Sequence, residues 1–126
     1  MAHILIVEDE ANIARLLEVR LQKVGHTTSW VQDSRQTLTT TRELVPDLIL
    51  LDVMMPGMGG IEIAKQLKHD AVTRRIPVIM LTARTEGLAV IAGLDAGANA
   101  YLSKPIHFPD LIQRIAHFLG QDVRGS

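Results

Sequence analysis

Leu48-Ile49-Leu50-Leu51-Asp52 is a run of four apolar residues closed by a carboxylate. A strand with one wet face alternates polar and apolar residues. A run without alternation belongs to a strand covered on both faces, as in parallel sheets flanked by helices. The other short runs are His3–Val7, Thr27–Val31, Pro77–Leu81 and Ala100–Leu102, with segments of helical length between them. Ile13, Leu16, Leu17, Leu21 and Val24 mark one stripe of a first helix, and Gly25 follows as its C′ residue. Asp33 or Ser34 caps a second helix, which Pro46 closes. Pro56, Gly57, Gly59 and Gly60 form a loop before a third. Thr85–Ala96 carries Ala, Gly and Leu on several faces and is the least defined helical segment. Leu111, Ile112, Ile115 and Leu119 mark the last. Five βα units in series predict an α/β fold, a doubly wound five-stranded parallel sheet with five flanking helices. Thr27-Thr28-Ser29-Trp30-Val31 is the polar run and suits an edge, with Trp30 packing there.

The chain has 126 residues, which suits one domain over 1–120, followed by a polar tail at 121–126 that reads as frayed or as a cut end. An apolar share of 47%, a charged share of 21% and a net charge of −1 are those of an ordinary globular protein with no global field toward nucleic acid or anionic membrane. The absence of cysteine excludes disulfides and thiolate chemistry. No run approaches the roughly 20 apolar residues of a spanning helix. Ile4–Val7 is too short for a signal peptide and runs into Glu8, Asp9 and Glu10. The expected location is the cytoplasm.

In open parallel sheets, ligands sit beyond the carboxyl ends of the strands. The first strand ends at Glu8 and Asp9, the third at Asp52, the fourth at Thr82 and the fifth at Lys104-Pro105, while the second offers Gln32 and Asp33. Taken singly, each has an ordinary reading: Asp9 or Glu10 as a helix cap, Thr82 as another cap, Lys104 as a solvated lysine. Together they gather three carboxylates, a hydroxyl and an ammonium at one edge. Two carboxylates about 5 Å apart repel by roughly 3 kcal/mol at an effective dielectric near 20, so three call for a cation. Oxygen ligands suit Mg²⁺ or Mn²⁺. Carboxylates accept phosphoryl groups, and a lysine and a hydroxyl stabilise the equatorial oxygens during transfer.

Four stretches, Ile4–Glu10, Asp47–Pro56, Pro77–Ala83 and Gly97–Pro105, resemble the receiver-domain family of bacterial two-component signalling, chemotaxis regulators included. The resemblance spans about residues 3 to 119. It implies a flavodoxin-like strand order of 2-1-3-4-5. It implies that Asp52 is the phospho-acceptor, with Asp9, Asp52 and the Met54 backbone carbonyl as metal ligands and Glu8 acting through a water. Lys104 would pair with Asp52 and then with the phosphoryl group. Thr82 and the Ala83 N–H would bind phosphoryl oxygens. Lys104-Pro105 resembles the family's cis peptide, and Tyr101 its aromatic switch, alongside Thr82. The implied donor is a histidine kinase or a histidine phosphotransfer protein. The implied output is a downstream effector met through the fourth helix, fifth strand and fifth helix, without direct nucleic-acid or membrane binding by this domain. Such a protein modifies only itself and is not a turnover enzyme. Met54 and Arg84 flank the pocket and are expected to govern water access.

Asn99-Ala100 stands where winged-helix regulators commonly carry two aspartates, which departs from their charged dimer face. Leu88, Ala89, Ile91, Ala92 and Leu94 offer a small apolar surface that either docks a partner or packs inward. Three other functions would need different residues. An aspartate phosphatase wants a second acid at the position of Met54. A flavin or nucleotide module wants a hydroxyl- or glycine-rich loop where Glu8-Asp9-Glu10 stands. A degenerate scaffold would have lost Asp52 or Lys104. Gly57-Met58-Gly59-Gly60 is no Walker loop, because no Lys-Ser/Thr follows it. The five histidines show no i, i+4 metal spacing.

Overall fold

The computed structural model describes residues 2–53, 59–82 and 97–120. Along the chain run β1 (His3–Val7), α1 (Ala11–Lys23), β2 (Thr27–Val31), a 3₁₀ turn (Ser34–Gln36), α2 (Thr37–Leu44), β3 (Leu48–Asp52), α3 (Gly60–His69), β4 (Val78–Thr82), β5 (Ala100–Ser103) and α4 (Phe108–Phe118). The segment Thr85–Ala96 and the tail 121–126 lie outside the described residues, so α4 is the helix that the sequence pattern counts as the fifth. The five strands are parallel in the order β2-β1-β3-β4-β5.

The unbroken apolar runs are explained by what covers them. β3 and β4 are buried at every position. Leu5, Val7, Ile49, Leu51, Val78 and Met80 face a core with Ile63, Ala64 and Leu67 of α3, and Leu38 of α2 packs against it. Their neighbours Ile4, Ile6, Leu48, Leu50, Ile79 and Leu81 face the opposite core, with Ala14, Leu17 and Leu21 of α1 and Leu111 and Ile115 of α4. Each fully buried Leu or Ile contributes about 1.5–3 kcal/mol of transfer free energy. The sheet is thus the middle layer of three, and its two faces are read alternately along each strand. β2 and β5 are the edges, and β2 keeps only Val31 fully buried.

One local expectation is corrected. The buried stripe of α1 is Ala14, Leu17 and Leu21. Leu16 and Val24 are 49% and 48% exposed, because Leu16 stands about 100° round the helix from Leu17 and Val24 lies past the last helical residue as the C-cap. α2 ends at Leu44, before Pro46, with Val45 in the left-handed region at φ 44 and its N–H bonded to Thr41 O. That conformation costs a β-branched residue about 1–2 kcal/mol. Gly25 does close α1, at φ 97, with its N–H on Gln22 O. Asp33 Oδ1 accepts the Arg35 N–H and so caps the 3₁₀ turn that leads into α2.

Candidate functional site

The site lies at the carboxyl ends of the strands, and strand register brings its members together. β3 pairs Asp52 with Leu81, and β4 pairs Thr82 with Ser103, one residue before Lys104. The Lys104 N–H donates to Thr82 O at 2.6 Å and the Val53 N–H to Leu81 O at 3.1 Å, so the chain beyond β3 and β5 is tied to β4. On the other side the Glu8 N–H donates to Val31 O. Gly60 lets α3 begin directly over the end of β3. A Cβ there would stand 2.7 Å from Val53 Cα and 3.1 Å from Asp52 O, a clash with backbone.

One carboxylate oxygen from each of Glu8, Asp9 and Asp52 lies within 4.8 Å of the others. Glu8 and Asp52 are buried and Asp9 is half-buried. Lys104 Nζ sits 3.2 Å from Asp52 Oδ1 and 3.9 Å from Glu8 Oε1. One ammonium therefore lies against two of the three carboxylates. The Glu8 carboxyl is pushed up to about 8, first by burial and then by the hydrogen bond and like charge of Asp52. The Glu10 N–H, 3.2 Å from Glu8 Oε2, and Lys104 pull it back only in part.

Glu8 Oε1 and the Thr82 hydroxyl are buried without a hydrogen-bond partner among the described residues. Buried polar atoms are rarely left so unless a ligand, ion or water completes them. An all-oxygen donor set, an excess of negative charge and an orphaned carboxylate oxygen together fit a hard divalent cation of the Mg²⁺ type. The helix-cap reading does not hold for Glu10, which occupies the N-cap position of α1 without a side-chain capping bond.

The structure thus assembles Glu8, Asp9, Asp52 and Lys104, and places Thr82 on the adjoining strand end. The Lys104–Pro105 peptide is cis. Tyr101 is paired with Met80 in register and is 41% exposed on the edge strand. Met54, Ala83, Arg84 and the apolar set Leu88–Leu94 lie outside the described residues.

Trp30 was expected only to pack on the edge, and Gln32 was named at its strand end without a role. The Trp30 indole N–H donates to Glu8 O at 2.7 Å and the Gln32 amide to Asp9 O at 3.2 Å, both from β2 or the residue after it. The only available signal was their place at the end of a strand beside the acidic pair. Asn99, read as a departure from a dimer face, has a structural task. Its Oδ1 accepts from the Val78 N–H and from Lys68 Nζ.

Comparison with known proteins agrees with this geometry. The sequence profile of the response regulator receiver domain matches residues 4–116. The DNA-binding response regulator MtrA of Mycobacterium tuberculosis (strain H37Rv) is 42% identical over 112 residues, covering 89% of this chain and 48% of its own. The chain therefore spans about half the length of that curated relative. A putative response regulator from Chloroflexus aurantiacus superposes with a TM-score of 0.90 at 33% identity, over 94% of this chain and 98% of that one. The receiver domain of a sensor histidine kinase from Pseudomonas aeruginosa PAO1, described with a magnesium ion coordinated in its active-site cleft, superposes with a TM-score of 0.87 at 28% identity, over 94% and 98%. Among the described residues no helix is long and apolar enough to cross a membrane.

Proposed function

Because this chain belongs to the response regulator receiver domain family, we propose that it is a phosphoryl-accepting switch whose acceptor is Asp52. The observation that carries the proposal is a buried carboxylate at the end of a central strand, 3.2 Å from a lysine ammonium and clustered with two further acids. The donor is a phosphohistidine on a histidine kinase or phosphotransfer protein. One Asp52 oxygen attacks phosphorus as the phosphorus–nitrogen bond breaks. The electron pair of that bond returns to the imidazole, which takes up a proton.

Asp9 and Asp52 would hold Mg²⁺ or Mn²⁺ through their carboxylates, Met54 through its carbonyl and Glu8 through a water. When bound, the ion supplies the positive charge that lets an anionic phosphoryl group approach these acids. Lys104 moves its ion pair from Asp52 to the phosphoryl oxygens. The Thr82 hydroxyl, which has no hydrogen-bond partner among the described residues, donates to one of those oxygens, and the Ala83 N–H to another. Recruitment of Thr82 is the local event that Tyr101 reads, turning from its exposed position toward the space the threonine leaves. The signal then passes to an effector through the β5–α4 face and the segment before β5. Water attack later resets Asp52, at a rate that Met54 and Arg84 govern. The setting is cytoplasmic, and the domain, residues 1–120, makes no nucleic-acid or membrane contact of its own.

Intact-mass measurement after incubation with an acyl phosphate and Mg²⁺ tests this. The wild-type chain should gain the mass of one phosphoryl group and Asp52→Ala none. An unmodified wild type, or an equal gain in the variant, removes Asp52 as the acceptor.

A further inference from the structure

Asp9 is the half-buried member of the acidic cluster. Like-charge repulsion from Asp52, joined by Glu8 where that carboxyl is ionised, favours its swinging out to solvent. Its backbone is nevertheless held on both sides. The peptide before it presents the Glu8 carbonyl, which accepts from the Trp30 indole at 2.7 Å. The peptide after it presents the Asp9 carbonyl, which accepts from the Gln32 amide at 3.2 Å. A residue has two soft backbone torsions, and they lie between these two planes. Fixing both planes fixes the direction of the Cα–Cβ bond. The anchors come from β2 and the residue after it, a segment itself joined to this loop by the Glu8 N–H to Val31 O bond.

We propose that Trp30 and Gln32 are positioning residues for the cation site: their side-chain donors clamp the peptides flanking Asp9 and so keep its carboxylate beside those of Glu8 and Asp52. The inference rests on the divalent-cation reading of that cluster. The edge strand is then part of the site's machinery as well as a cover for β1. Outer-shell partners of metal ligands are worth about 10- to 100-fold in metal affinity when removed. A clamp that acts through the backbone belongs at the lower end of that range.

Mg²⁺ titration by calorimetry on the whole chain, with metal-free melting measured in parallel, tests this. Trp30→Phe leaves an aromatic side chain on the strand but removes the N–H donor together with the five-membered ring of the indole, and should weaken Mg²⁺ binding about tenfold. Gln32→Ala lies at an exposed position and should weaken it less, with the double variant weaker than either. Metal-free melting temperatures should stay within about 2 °C of wild type, since neither change opens the core. Gln32→Ala also retains the single tryptophan, so its Mg²⁺ curve can be followed by emission if Trp30→Phe does not fold. Wild-type affinity in both variants, or a loss of affinity only in proportion to lost stability, overturns the clamp and leaves the cation site standing. A wild type that binds no Mg²⁺ overturns both.

Discussion

At the amino ends of the strands the buried polar groups are satisfied in detail. Asp70 forms an ion pair with Arg42 and accepts the Val72 and Thr73 N–H groups, and the Thr73 hydroxyl donates to Leu67 O at 2.6 Å. Lys68 Nζ donates to Ile76 O, Arg74 O and Asn99 Oδ1. At the carboxyl ends three carboxylates cluster, one ammonium lies against two of them, and among the described residues Glu8 Oε1 and the Thr82 hydroxyl lack hydrogen-bond partners. His26 Nδ1, in the turn before β2, is the one exception at the paired end among the described residues. The contrast shows where each end spends its polar atoms: one holds the layers together, while the other keeps charge and donors in reserve for a ligand.

The contrast would break most visibly in a pH titration of metal-free stability. The folded Glu8 carboxyl sits near 8 against an ordinary value of 4.5. Between those values the folded state binds more protons than the unfolded one, so stability falls as pH rises and the full cost is present above pH 8. A decline of a few kcal/mol is expected in urea unfolding from pH 5 to 8, flattened by saturating Mg²⁺. A flat metal-free profile would remove the frustration assigned to this end.

Thr73→Val is the counterpart at the paired end. It strips the donor from Leu67 O at a fully buried position and should cost about 1–3 kcal/mol, read as a lower urea midpoint at unchanged slope. A neutral result would mean that this end is no better optimised than the other. The smallest effect has the opposite sign. Asp52→Asn relieves like-charge repulsion but gives up the Lys104 ion pair, and should stabilise the metal-free protein by about 1 kcal/mol. Destabilisation would show that Lys104 already balances the cluster.

The strand runs, the edge assignment of β2 and the convergence of strand ends were legible because burial on both faces leaves an unalternated apolar pattern and chain direction places every strand end on one side. The α1 stripe was misread at Leu16 and Val24 because periodicity does not show which neighbour a helix flank meets, and a small residue such as Ala14 carries little hydrophobic weight. Asn99 looked like a missing charge and proved to be a hydrogen-bond bridge, since its partners Lys68 and Val78 are 31 and 21 residues away.

By itself, the order of apolar runs and acidic strand ends determined a parallel three-layer fold with Asp52, Glu8, Asp9, Thr82 and Lys104 at a common edge. Only the tertiary structure decided that Glu8 is the carboxyl driven toward its protonated form, that Glu10 stands at the helix cap, and that Trp30 and Gln32 reach back to the acidic loop. The reason is physical: pattern and chain direction say which side of a sheet a residue meets, whereas hydrogen bonds and pKa shifts depend on ångström-scale separations that register, twist and burial set between strands distant in sequence.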